Sequence, residues 1–148
     1  MKQKKKELID ARIRHAWHRV YRLYNQRAIA HGLTISVGFI LMHIDKEGTP
    51  STTLGPRMGM EPTSLSRTLK SMEDQGWIKR VISQIDKRKV LIFLTPEGLL
   101  KRNLVRDFLL EFNEKLNQRI PQKDLDGFFN TMNILDQVID EVVNLDEK

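Results

Sequence analysis

Residues 61–98 read EPTSLSRTLKSMEDQGWIKRVISQIDKRKVLIFLTPEG, and three kinds of local order follow one another along them. Leu65, Leu69 and Met72 recur at i, i+4 and i+7, the spacing of one helical face turned to a core. Glu61 stands at the N-cap position of this helix with Pro62 at its first position, where a missing N–H costs nothing, and Gly76 ends it. That leaves Thr63, Ser64, Ser66, Arg67 and Lys70 facing outward. Residues 78–83 and 90–94 are rich in β-branched and aromatic side chains and flank a polar tip of Asp86, Lys87, Arg88 and Lys89. A further helix opens with Thr95 as cap and Pro96 at its first position. An amphipathic helix, a basic hairpin and a second helix must therefore pack together within one short stretch.

The flanking sequence is helical. Leu8, Ile9, Ile13, Trp17, Val20, Tyr21, Tyr24 and Ala28 keep a helical spacing over residues 6–30, closed by His31-Gly32. Thr34 or Ser36 caps a helix whose residues 37–44 are apolar nearly all round, which predicts burial. Residues 47–50 read as a loop. A third helix is expected to start near Thr53 and to be short, because Gly55 and Pro56 fall inside it; Gly59-Met60 is the turn that follows. Beyond Pro96, Leu104, Val105, Phe108, Leu109, Phe112 and Leu116 continue a helix to Pro121. Leu125, Phe128, Phe129, Met132, Leu135, Ile139, Val142 and Val143 mark the last one. The expected order is α-α-α-α-β-β-α-α: mainly α, with a small two-stranded β wing. No repeat or long linker divides the chain, so residues 1–148 are expected to form a single domain.

Composition narrows the function. Apolar residues are 40% of the chain and charged residues 30%, a soluble globular balance, and no apolar run approaches a membrane span. The N-terminus, MKQKKKELID, lacks the apolar core of a secretory signal. The absence of cysteine excludes disulfides, zinc–thiolate sites and cysteine nucleophiles, and with the other features predicts a cytoplasmic protein. The net charge of +6 and pI of about 9.7 favour a polyanionic partner. The charge is uneven. Residues 1–30 hold nine Lys/Arg against Glu7 and Asp10, whereas Lys123 and Lys148 face seven acids from Pro121 onward. This is either an ordinary solvated surface or a basic face toward DNA with an acidic end away from it. His15 and His18 can share a helical face, but no third ligand joins them, so they read as surface or structural histidines. With no Walker A loop, G-x-S-x-G elbow or H-E-x-x-H motif, nothing supports an enzyme, and no cofactor is implied.

Helix, basic hairpin and helix in this order form the layout of a winged helix-turn-helix. Arg67 can donate two hydrogen bonds to guanine, while Thr63, Ser64 and Ser66 can meet bases or phosphates, and Lys70 shares their face. A hairpin tip is narrow enough to enter a minor groove, with Arg88 as the probe and Lys87 and Lys89 on phosphates. Asp86 cannot meet a phosphate favourably, so it is assigned to pairing with an arginine and holding the tip's shape. The plainer alternatives are a solvated helix face and cations that guard an edge strand against aggregation.

Residues 59–98 resemble the MarR family of bacterial transcription regulators. The resemblance rests on Gly59-Met60-Glu61-Pro62-Thr63-Ser64-Leu65-Ser66-Arg67, on Met72-Glu73-Asp74-Gln75-Gly76-Trp77-Ile78-Lys79-Arg80, on Asp86-Lys87-Arg88 as the family's D-x-R wing motif, and on Leu94-Thr95-Pro96-Glu97-Gly98. It departs from the family at Gly55-Pro56, where good helix formers are usual, and at Glu61, where serine is common. The resemblance implies a winged-helix lobe over about 34–98, with dimerisation helices over about 6–30 and 96–145. It also implies a homodimeric repressor on a palindromic double-stranded operator, without a membrane partner, and often a small aromatic or amphipathic effector. Phe108, Phe112, Phe128, Phe129, Leu135 and Ile139 are the candidates for a core shared between subunits; an intramolecular bundle would show the same periodicity. Trp17, Tyr21, Phe39, Met42, His43 and Phe112 are the candidate effector pocket, with plain core packing as the alternative. A winged helix used for protein–protein contact and a non-specific architectural DNA binder remain the rival readings.

Overall fold

A computed structural model describes residues 7–146 of the chain. The lysines at 2, 4, 5 and 6, together with Glu147 and Lys148, entered the charge asymmetry above but lie outside the described residues. The described residues form helices α1 (Ile9–Ala30), α2 (Ile35–His43), α3 (Ser51–Met58), α4 (Pro62–Asp74), α5 (Pro96–Asn117) and α6 (Gln122–Asp146), with strands β1 (Thr49–Pro50), β2 (Ile78–Ile82) and β3 (Val90–Leu94). The predominance of helix and the hairpin between α4 and α5 follow the sequence pattern. None of these helices is long and apolar enough to cross a membrane.

Two expectations need correction. The two-stranded wing, β2 and β3, belongs to a three-stranded antiparallel sheet in the order β1-β3-β2. Residues 49 and 50, read as loop, pair as Thr49↔Ile92 and Pro50↔Leu91. Proline is admissible there because β1 lies at the sheet edge and Pro50 need not donate to the ladder. Thr49 is wholly buried, and its Oγ1 accepts a 2.8 Å hydrogen bond from the Asp45 N–H, so burial leaves no polar group orphaned. The second correction concerns α3, which starts at Ser51 rather than near Thr53 and accommodates Pro56 in its interior. Pro56 cannot bond back to the Thr52 carbonyl, but the helix runs only as far as Met58 before Gly59 takes a left-handed φ of 62°. Gly55 is there for space, since a Cβ would come within 3.1 Å of the Met60 carbonyl oxygen.

Local chemistry fixes the other ends. Thr34, not Ser36, caps α2, accepting from the Val37 N–H at 3.2 Å. Glu61 occupies the N-cap of α4 but its side chain makes no cap bond. Gly76, at φ 74°, closes α4: the Trp77 N–H reaches the Met72 carbonyl and the Gly76 N–H the Glu73 carbonyl, each at 2.9 Å. Thr95 caps α5 through the Gly98 N–H at 3.0 Å, and its hydroxyl donates to the Gly76 carbonyl at 2.6 Å. Thr95 therefore ties the base of the hairpin to the end of α4.

The chain divides into compact units spanning residues 1–106 and 107–148. The core of the first is built by Leu33, Val37, Ile40, Leu41 and Ile44 around α2, with Leu54, Leu65, Leu69, Met72, Ile78 and Ile92 from the surrounding helices and sheet. Helix α2 is buried, as its all-round apolar sequence requires. In the second unit the rings of Phe108 and Phe112 stack at 6.5 Å, and α6 has no buried residue among those described.

Candidate nucleic-acid interface

Helix α4 is amphipathic in the strict sense. Leu65, Leu69 and Met72 are at most 6% exposed and bind it to the core, which turns Thr63, Ser64, Ser66, Arg67 and Lys70 to solvent. Thr68 donates to the Ser64 carbonyl at 2.9 Å and Lys70 lies 3.4 Å from Asp74, so both are engaged within the helix. Arg67 has no hydrogen-bonding or ionic partner among the described residues. Three arginines near it are held, Arg57 by Asp45 at 3.5 Å, Arg80 by Glu73 at 3.2 Å and Arg88 by Asp86 at 3.2 Å, whereas Arg19 and Arg22 on α1 are exposed and uncommitted like Arg67. An exposed, uncommitted guanidinium on a helix anchored by three apolar residues is a donor fork available to an external acceptor.

The wing tip is an ordered turn. The Ser83 N–H reaches the Lys89 carbonyl and the Lys89 N–H the Asp86 carbonyl, each at 2.9 Å. Ser83 Oγ accepts from the N–H groups of Ile85 and Asp86 at 3.3 and 3.2 Å. Asp86 Oδ1 accepts from the Arg88 backbone N–H at 3.1 Å and from its Nε at 3.2 Å. The hydrogen bonds from Arg88, side chain first and then backbone, hold the Asp86 carboxyl below its ordinary value. Asp86 thus spans the turn and fixes the Arg88 stem. Lys87, Arg88 and Lys89 are all exposed, with the Arg88 side chain at 91%. The tip projects from a sheet whose Lys79 lies 5.8 Å from the centre of the Phe93 ring, and Phe93 fills the place a side chain at Gly48 would take.

The proposed pocket residues are distributed as follows. Trp17 and Tyr21 meet edge to face at 6.0 Å on α1 and are 48% and 41% exposed. Phe39, Met42 and His43 on α2 are partly buried; Phe39 meets Tyr24 at 6.4 Å, and the His43 Nδ1–H donates to the Phe39 carbonyl at 2.7 Å. Phe112 belongs to the second unit. The sequence reading did not identify an open groove of about 580 Å³ bounded by α3, the start of α4 and β2, with Thr52, Pro56, Met60, Leu65, Ser66 and Arg80 among its walls. Its only signal was Gly55-Pro56, which reads as a flaw in a helix until the neighbouring elements are in place. Among the described residues, no three His, Asp or Glu side chains converge to hold a metal.

Residues 33–90, from the turn before α2 to the start of β3, match the model of the MarR family. YwoH of Bacillus subtilis (strain 168), an uncharacterized HTH-type transcriptional regulator, is 31% identical over 71 residues, which make up 48% of this chain and 51% of that protein. The chain spans about half the length of the curated relatives it matches. Among solved structures, S. aureus MepR in complex with DNA aligns with a TM-score of 0.78 at 16% identity, covering 90% of this chain and 99% of that one. CouR from Rhodococcus jostii RHA1, bound to p-coumaroyl-CoA, aligns with a TM-score of 0.77 at 18% identity, covering 91% and 95%. At such identities the likeness is one of fold.

Proposed function

We propose that this chain, a MarR-family winged helix-turn-helix protein, is a DNA-binding transcription regulator that works as a homodimer on a palindromic operator, as a repressor released by a small aromatic or amphipathic effector. The observation that carries the reading is the uncommitted Arg67 on the exposed face of α4, in the same compact unit as a braced tip bearing three cations. Arg67, Ser64 and Thr63 read base edges in the major groove, with Ser66 and Lys70 on the same face. Arg88 enters the adjacent minor groove, while Lys87 and Lys89 take phosphates. Members of this family are regulators rather than enzymes.

The dimer is supported by the apolar surface of the flanking helices. Phe128, Phe129, Val138, Ile139, Val142 and Val143 are 47–60% exposed along α6, more than a monomer keeps in water without cost. In this reading residues 34–98 are the DNA-binding lobe of one domain, and residues 6–30 and 96–145 hold the two copies together. Two recognition helices on a two-fold axis then meet two half-sites, and an effector that favours a different spacing of those helices lowers DNA affinity. CouR with its bound p-coumaroyl-CoA supports an aromatic effector, and Trp17, Tyr21, Phe39, Met42 and His43 of the first unit are the residues proposed to receive it.

The test is selection of duplexes from a random pool by the purified protein, followed by titration with competitor DNA. A palindromic consensus held against excess bulk DNA is the expected outcome. Retention of all duplexes alike would replace the regulator with an architectural binder.

A further inference from the structure

Ile85 is 100% exposed at the wing tip. Its backbone is nevertheless held, with its own N–H on Ser83 Oγ at 3.3 Å and the Asp86 N–H on the same oxygen at 3.2 Å. Turns of this kind favour Gly, Asn, Asp or Ser, and a β-branched apolar side chain adds nothing to their geometry. Nor does Ile85 meet the core. It projects a few residues from Lys87, Lys89 and an Arg88 side chain that is 91% exposed. Its partner must therefore accept an apolar knob and several cations at once. An apolar protein surface would satisfy the first and leave the cations desolvated. A DNA minor groove satisfies both: phosphates line its rims, and its walls are the C–H faces of the sugars.

We infer that Ile85 is a specificity-determining residue of the wing, packed into the minor groove beside Arg88, where it selects against G·C pairs. The inference rests on the DNA-binding reading above. In the minor groove A·T and T·A pairs present only acceptors, whereas guanine adds its 2-amino donor. An isoleucine pressed on that amino group removes its water and offers no acceptor, and a buried donor without a partner is costly. Over adenine the same side chain meets a C–H. Ile85 and Arg88 thus favour A·T by different physics: the arginine responds to groove width and potential, the isoleucine to the absence of one amino group.

The difference is measurable. The probe is an operator duplex selected by the wild-type protein, with the pairs under the wing replaced in turn by A·T, G·C and inosine·C; inosine is guanine without the 2-amino group. Wild-type protein is expected to bind the A·T and inosine·C duplexes alike and the G·C duplex about tenfold more weakly. Ile85→Ser is expected to bind the A·T duplex severalfold more weakly and to lose most of the penalty against G·C. Its salt dependence should be unchanged, because no cation has been removed, whereas Lys87→Ala, which removes a phosphate contact, should flatten the log K against log[salt] slope by about 1 per subunit. Because Ile85 touches nothing in the fold, Ile85→Ser should melt at the wild-type temperature. If Ile85→Ser keeps both the affinity and the G·C penalty of a wild-type protein that binds its operator, this inference fails and the regulator reading stands. If the wild-type protein selects no DNA, both fail.

Discussion

At position 98 a side chain has no room. A Cβ on Gly98 would fall on the backbone carbonyl of Trp77, the same carbonyl that accepts the Thr95 N–H at 3.0 Å. Gly98→Ala must push α5 away from the base of the hairpin, and a loss of about 2 kcal/mol or more is expected. Urea denaturation gives the figure; a midpoint within error of wild type would mean that this close approach relaxes freely. Arg67 presents the opposite case, a residue with no partner inside the described chain. Arg67→Ala should leave the midpoint unchanged, cost ~1–3 kcal/mol of DNA binding per half-site and relax the preference at one base pair. Titration against a panel of single-base operator changes tests this. If affinity and base preference both survive the substitution, α4 is not the recognition helix.

At the scale of an element, the wing tip depends on one carboxylate. Asp86 is the acceptor for both the Arg88 backbone and its side chain, and these bonds lower its pKa. A lowered folded-state pKa means that the contribution is fully present above the ordinary carboxylate value and is lost as pH falls through the depressed one. The chemical shift of the Arg88 amide should therefore be flat around neutrality and change only in acid, below the normal range for aspartate. Asp86→Asn retains a carbonyl oxygen for the backbone bond but not the charge, whereas Asp86→Ala loses both. Tip order should fall in the sequence wild type, Asn, Ala, and DNA affinity should follow it. Equal affinity for all three would show that the tip does not need to be preformed.

At the scale of the molecule, the apolar stripe of α6 and the positive balance of the chain each lead to a measurement. Sedimentation at micromolar concentration should give about twice the 17.3 kDa chain mass, because Phe128, Phe129 and Ile139 are too exposed for a stable monomer. A clean monomer would remove the basis for a palindromic operator. Several phosphate contacts per subunit should give the dimer a log K against log[salt] slope of about −5 or steeper. A flat profile would mean that the basic surface does not meet DNA.

Much of this was determined by the sequence alone, where the physics is local. The spacing of Leu65, Leu69 and Met72 set which face of α4 is buried, because helical periodicity depends on nothing distant. Pro62 marked a helix start through its fixed φ, Gly76 a helix end through its left-handed backbone, and Thr95 a start through its side chain, which accepts from the Gly98 N–H. The tip sequence placed Asp86 two residues from Arg88, close enough for the bonds seen. Tertiary structure alone decided the rest. Thr49-Pro50 carries no strand signal; it pairs because Ile92 and Leu91 arrive from more than 40 residues away. Gly55-Pro56 reads as a helix breaker; the fold accommodates it in a helix that ends at Met58, with the Met60 carbonyl oxygen close to where a Cβ at Gly55 would stand. The uncommitted state of Arg67 was equally invisible, since the acids that engage Arg57 and Arg80 are chosen by folding. Local preference is written in neighbouring residues, whereas long-range pairing, close approach and the choice of ionic partners exist only once distant segments share one core.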